Sequence, residues 1–218
     1  MTNFGKKLNW ELLNEEHIVQ DQWIDFRRNK YKLPDGQTIS PVYNYSKHSF
    51  SLVVATDTDG NFICVRQYRH GIDDIATEFP AGGIEYDKKE ESNHSSACIE
   101  QGSDNACKTC ITKDNIIASE DEAFEAAKRE LREETGYTSD NWTHLLTIPA
   151  NATISNSNVH IYCATDCVHT ATQELDATEF LNVVTLSEPE LLSSIFGGDF
   201  KQALHVLAYY LFKDKCRK

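Results

Sequence analysis

The sequence predicts an α/β fold, a mixed sheet held between helices and preceded by a small β-rich region. Three observations lead there. Residues 49–56 and 62–68 are rich in β-formers and are joined by Asp57-Thr58-Asp59-Gly60, which reads as a hairpin. The stretch from Glu120 to Thr135 reads as a helix with a cap at each end. Beyond it, candidate strands (160–164, 180–184) are followed by candidate helices (188–195, 200–212), with no internal repeat.

Taken in order, residues 1–47 read as short strands and turns and form a first region, with residues 48–218 as the main domain. Residues 23–27 alternate as a half-buried strand, and Pro34-Asp35-Gly36 is a turn. Glu78-Phe79-Pro80-Ala81-Gly82-Gly83 is expected to be a tight backbone feature that needs its glycines. Residues 87–119 are polar, with few large apolar side chains, and read as an insertion. At the following helix Ser119 is the expected N-cap, acids fill the first turn, and Gly136 stops it.

Composition narrows the function classes. A hydrophobic content of 40% suits an ordinary globular core, and no apolar run is long enough to span a bilayer. A net charge of −13 argues against nucleic-acid or anionic-membrane partners. It does not exclude a phosphate-bearing substrate, because a metal and a few arginines can reverse the local potential. The opening residues lack a secretory core, so a cytoplasmic protein is expected. Seven cysteines are an odd count, unattractive as a closed set of disulfides.

The chemistry concentrates in Arg129-Glu130-Leu131-Arg132-Glu133-Glu134-Thr135-Gly136-Tyr137. On a helix Glu130 and Glu134 share a face with Glu133 beside them, and like charges so spaced repel. A hard divalent cation removes the conflict, since Mg²⁺ takes carboxylate, water and phosphate oxygens. Arg129, four before Glu133, is placed to pair with it. A plain solvated acidic face is the competing reading. This segment resembles the second half of the Nudix hydrolase box, G-x5-E-x7-R-E-U-x-E-E-x-G-U. Gly82 matches the first glycine of that box, in a context like the Pro-Ala-Gly-x-Ile-Glu of ADP-ribose pyrophosphatase relatives. Two departures are visible: residues 87–119 lengthen the box, and Asp121 stands where its first glutamate falls. The resemblance implies a Nudix α/β/α sandwich. It also implies Mg²⁺ or Mn²⁺ on Glu130, Glu133, Glu134 and the Ala81 carbonyl, with Arg129 and Glu133 in the catalytic set.

For the substrate, Arg66 and Arg69 lie three apart on one strand, so at most one points into a common site. The resemblance gives the phosphate contact to Arg69, whose planar fork suits it, against a surface arginine as the alternative. Glu78 is expected among the substrate residues, either close to the metal or bracing the turn. Glu179, ahead of Glu174, takes the place of a metal-ligating or general-base glutamate, with an exposed loop acid as the alternative. Trp23 matches an aromatic that stacks on the base in relatives whose N-terminal region is exchanged in a dimer, and it would serve equally as core. Tyr43 or Tyr45 could replace a second stacking residue, whose place falls near Pro41. Ala152 stands where ADP-ribose enzymes tend to carry proline, so reaction class is better supported than substrate.

His94, Cys98, Cys107 and Cys110 form H-x3-C-x8-C-x2-C, a candidate structural zinc set; free thiols or a Cys107–Cys110 redox pair are the alternatives. The resulting expectation is a homodimeric, metal-dependent enzyme that hydrolyses a nucleoside diphosphate sugar such as ADP-ribose to a nucleoside monophosphate and a sugar phosphate. The rival readings are a Nudix-fold nucleotide sensor without catalysis, a hydrolase of another nucleoside diphosphate derivative, and a zinc-stapled interaction module.

Overall fold

The computed structural model describes residues 8–84, 111 and 118–216. The candidate zinc residues His94, Cys98, Cys107 and Cys110 lie outside the described residues. Contacts divide the chain into two units. Among the described residues, no helix is long and apolar enough to cross a membrane.

The first unit comprises Met1–His48, Lys88–Ile117 and Pro149–Ser157. Its described part is a three-stranded antiparallel sheet of β1 (Glu11–Gln20), β2 (Asp25–Lys32) and β3 (Thr38–Ser46), in the order β1-β2-β3. Strand β2 starts at Asp25, so Trp23 stands in the bend before it and not within a strand. The alternation along β2 is also the reverse of the usual one, since Asp25, Arg27 and Asn29 are the buried side chains. Polar partners offset most of the cost of burial: Arg27 bonds Asp25 and the Ser46 hydroxyl (2.9 Å), Asp25 meets His17 at 2.6 Å, and Asn29 Nδ2 donates to Tyr31 OH (3.1 Å) and Asn44 Oδ1. Ile111 is fastened to this unit, its amide donating to the Asp21 carbonyl and its carbonyl accepting from Gln20 Nε2, each at 3.0 Å.

The second unit holds an eight-stranded mixed sheet. Its strands are β4 (Phe50–Asp57), β5 (Phe62–Arg69), β6 (Asp74–Glu78), β7 (Ala81–Gly83), β8 (Tyr137–Thr138), β9 (Asn141–Pro149), β10 (Asn158–His169) and β11 (Leu181–Leu186). The helices are α1 (Glu120–Thr135), α2 (Glu188–Gly197) and α3 (Ala203–Lys215). The central order is β11-β5-β4-β10-β8, with β6 beside β5, β7 beside β4 and β9 beside β10. Strands β4 and β10 are parallel, and β4 and β5 pair only next to their turn, at Ala55↔Ile63 and Thr56↔Phe62, before β7 takes the place along β4.

Burial on both faces explains the unbroken apolar runs of the central strands. Leu52, Val54, Phe62, Cys64, Ile161 and Cys163 pack into a core with Tyr209 and Phe212 of α3 and Leu191 of α2. Their neighbours Val53, Ala55, Ile63, Tyr162 and Ala164 pack on the other face against Ala123, Ala127 and Leu131 of α1. This is the predicted α/β/α sandwich. Helix α1 occupies the predicted residues: Ser119 and Glu122 form a reciprocal capping box, and Gly136 closes the helix at φ 74° with its amide bonded to Arg132 O at 2.8 Å. Phe180, read as the first residue of a strand, stands exposed just ahead of β11.

Candidate active site

The last two turns of α1 lie against β7, and the contact is made by carboxylates. Glu130 is buried because Gly82 leaves room for it. A Cβ built on Gly82 would fall 2.0 Å from Glu130 Cδ. Gly82 has no positive φ, so close approach is what requires a glycine there. Gly83 meets nothing within 4 Å, so the expectation that the turn needs both glycines is corrected to one. Arg129 bridges the two elements, donating to Gly83 O (2.8 Å) and Glu130 Oε1 (2.6 Å), with the anticipated Glu133 partnership at 3.4 Å.

Glu134 is also buried, and its Oε2 accepts from the Ala81 amide at 3.1 Å. Burial pushes its carboxyl well above the ordinary range, and the Glu130 charge adds to the effect. Glu130 is raised as well, by burial first and against the hydrogen bond from Arg129; Glu133 and Glu179 contribute repulsion. Two buried acids that disfavour each other's charge are a donor set short of positive charge, which suits a hard cation. Among the described residues no three His, Cys, Asp or Glu side chains converge on one point. Glu130, Glu133 and Glu134 are therefore not gathered into a protein-only metal cage.

Loop 170–179 is stitched to the end of this helix. Thr170 N and Ala171 N both donate to Gly136 O, Gln173 Nε2 donates to Glu134 O (2.7 Å), Glu174 N to Glu133 O (2.9 Å), and Arg132 pairs with Glu174 at 2.7 Å. The loop thereby brings Glu179 close enough for its charge to act on both Glu130 and Glu134. Glu179 Oε2 also accepts from Asp176 N at 3.0 Å, which fixes the side chain. The sequence reading missed Gln173, because an amide in a polar loop carries no periodic signal.

Arg69 and Glu78 form one unit. Both Nε and Nη2 of Arg69 donate to Glu78, at 2.5–3.1 Å. Burial alone would raise the Glu78 carboxyl, but hydrogen bonds from Arg69 and Gln202 bring it below its ordinary value. Glu78 is wholly buried, so its expected place among substrate-touching residues is corrected: it braces Arg69, whose side chain stays 37% exposed. His205 of α3, a residue that sequence reasoning missed, backs the same turn, its Nδ1 accepting from Phe79 N at 3.1 Å. Trp23 belongs to the first unit, where it is 67% exposed rather than core. Tyr43 stacks on Phe26 at 5.6 Å, and Tyr45 N donates to Ile154 O.

A mixed sheet flanked by helices, with the Arg129–Gly136 segment turned against Gly82, is in fold and motif a Nudix-type arrangement. No protein-family model matches the chain. It is ADP-ribose pyrophosphatase-like, being similar to the ADP-ribose pyrophosphatase of Bacillus subtilis (strain 168) at 26% identity over 213 residues, 96% of either chain. It also resembles the methanol dehydrogenase activator of Bacillus methanolicus at 23% identity over 193 residues, covering 88% of this chain and 85% of that one. In fold it matches the crystal structure of an ADP compounds hydrolase, with a TM-score of 0.67 at 19% identity over 94% of this chain and 93% of that one.

Proposed function

We propose that this protein hydrolyses the pyrophosphate of a nucleoside diphosphate sugar, ADP-ribose first among them, to a nucleoside monophosphate and a sugar phosphate. The observation that carries the reading is the pair of buried, mutually repelling carboxylates of Glu130 and Glu134 against the Ala81–Gly83 strand. The names of the similar ADP-ribose pyrophosphatase and ADP compounds hydrolase support the substrate class.

Glu130, Glu133 and Glu134, with the Ala81 carbonyl, would hold Mg²⁺ or Mn²⁺. Bound there, the ion supplies neutralising charge for pyrophosphate oxygens and lowers the pKa of a water. Arg129 holds Glu130 in one orientation through Gly83 O, which keeps the carboxylate set fixed before substrate arrives. Glu179 is assigned the proton of the attacking water, since its loop is anchored to the helix that carries the other acids. Arg69 meets a phosphate with the part of its guanidinium that Glu78 leaves exposed. The zinc set His94, Cys98, Cys107 and Cys110 is retained as a proposal for a structural Zn²⁺, and metal analysis of the purified protein decides it.

The test is a hydrolysis screen over ADP-ribose, other nucleotide sugars, dinucleotides and nucleoside triphosphates, with and without Mg²⁺. The expected result is Mg²⁺-dependent release of AMP and ribose phosphate from ADP-ribose. Glu134→Gln keeps an acceptor for the Ala81 amide but removes the charge, so turnover should fall by about two orders of magnitude or more. Metal-free stability should be unchanged or slightly higher, because repulsion with Glu130 is relieved. Near-wild-type turnover in that variant would sink the assignment.

A further inference from the structure

Helix α3 ends on a cysteine that touches another. Cys216 caps the helix, its amide bonded to Phe212 O at 2.9 Å, and its sulfur lies 2.9 Å from that of Cys163 in the middle of β10. Cys163 is buried in the core formed with Phe212 and Tyr209, and Cys216 packs half-buried against that core. The same helix end is held to the neighbouring strand by Lys215 Nζ, which donates to Leu145 O at 2.5 Å. Among the described residues this is the one pair of cysteines with sulfurs in contact; Cys64 and Cys167 are buried free thiols elsewhere in the sheet.

We infer that Cys163 and Cys216 form a reversible disulfide that staples α3 to β10. Bonded sulfurs sit at about 2.05 Å, so roughly an ångström of closure separates the two thiols from the bond. The order of events follows from access. The sulfur of Cys216 attacks a low-molecular-weight disulfide, RSSR, releasing one RSH and leaving a mixed disulfide on Cys216. Cys163 then attacks the Cys216 sulfur and displaces the second RSH. Two protein thiols have lost two electrons and two protons, and RSSR has gained them as two RSH. The first step falls to Cys216 because burial pushes the Cys163 thiol up to about 12, with the Cys216 contact adding to it, so Cys163 is a poor nucleophile until its target is delivered. The link would secure the helix that presents His205 to the Phe79 amide, and the inference stands independently of the activity proposed above.

The experiment exposes the folded protein to oxidised glutathione, then unfolds it, alkylates the remaining thiols and maps the peptides by mass. Two of the seven cysteines should escape alkylation. They should appear in one linked peptide pair joining Cys163 to Cys216, and dithiothreitol should restore both. The thermal midpoint of the oxidised protein should rise by roughly 5–10 °C. Cys216→Ser should leave Cys163 alkylatable and abolish the rise. Glutathione remaining on Cys216 without transfer, a link between other cysteines alone, or both thiols still free after oxidation would each overturn the inference.

Discussion

A methyl group on Gly82 would stand 2.0–2.2 Å from the three terminal atoms of the Glu130 side chain, and from nothing else so close. Those atoms end a flexible side chain, so the protein can relieve the clash by moving the carboxylate. Gly82→Ala should therefore cost stability only on the order of 1 kcal/mol while displacing Glu130 from its place beside Arg129. The expected outcome is at least a tenfold fall in Mg²⁺-dependent turnover with a nearly unchanged denaturation midpoint. Equal losses of stability and turnover, or no loss of turnover, would contradict the placement of Glu130. The acids of α1 were legible at this scale because repulsive spacing on a helix needs an explanation. The role of Glu78 was not, since a carboxylate near a turn reads alike whether it faces substrate or is wholly buried under an arginine.

The contrasting glycine is Gly136, which ends α1. It sits at φ +74° and an added Cβ would lie 2.1 Å from the backbone oxygen of Ala171, which cannot swing away. Gly136→Ala should destabilise by about 2–4 kcal/mol, several times the effect at Gly82, and chemical denaturation of the two variants side by side measures the difference. At α3, burial is the main cause holding His205 down to about 4, with Glu78 pulling upward and Arg69 downward. The unfolded imidazole takes its proton near 6.5 and the folded one near 4, so between those values the unfolded chain binds more protons. Stability from this group is full above pH 6.5 and is lost as pH falls through 4, a change of about 3 kcal/mol. In His205→Asn that slope should vanish from denaturation midpoints measured between pH 6.5 and 4. Elements with strong local signals were legible: the capped α1, the runs of β4 and β5, and α2 and α3. The weak ones were not. Strands β7 and β8 are two or three residues long, and β9 buries only Leu145 deeply, so its alternation is diluted by exposed polar residues.

At the scale of the whole molecule, β1 has a strand on one side only among the described residues. It pairs with β2, its last residue Gln20 reaches Ile111 O, and most of its side chains are exposed. Leu12, Leu13, Ile18 and Val19 are each 42–44% exposed, and Trp10 and Trp23 lie at 49% and 67%. An open edge flanked by large apolar side chains is a template for pairing with another chain, and a protein that must stay soluble covers it. We propose that a second copy provides the cover, so that the β-rich first unit is a dimer interface, as the resemblance to relatives whose N-terminal region is exchanged in a dimer implied. Some of that surface should be lost to solvent on pairing, and a stable homodimer should bury at least about 1,000 Å² in total. Light scattering on the purified protein at micromolar concentration should then give a mass near twice 24.7 kDa. Leu13→Glu with Ile18→Glu places charge at the two bulged, exposed positions of the strand, where burial against a second apolar surface would be costly. That variant should scatter as a monomer while keeping the circular dichroism of the folded sheet. A wild-type chain that is monomeric at tens of micromolar would remove the second copy as the cover for β1.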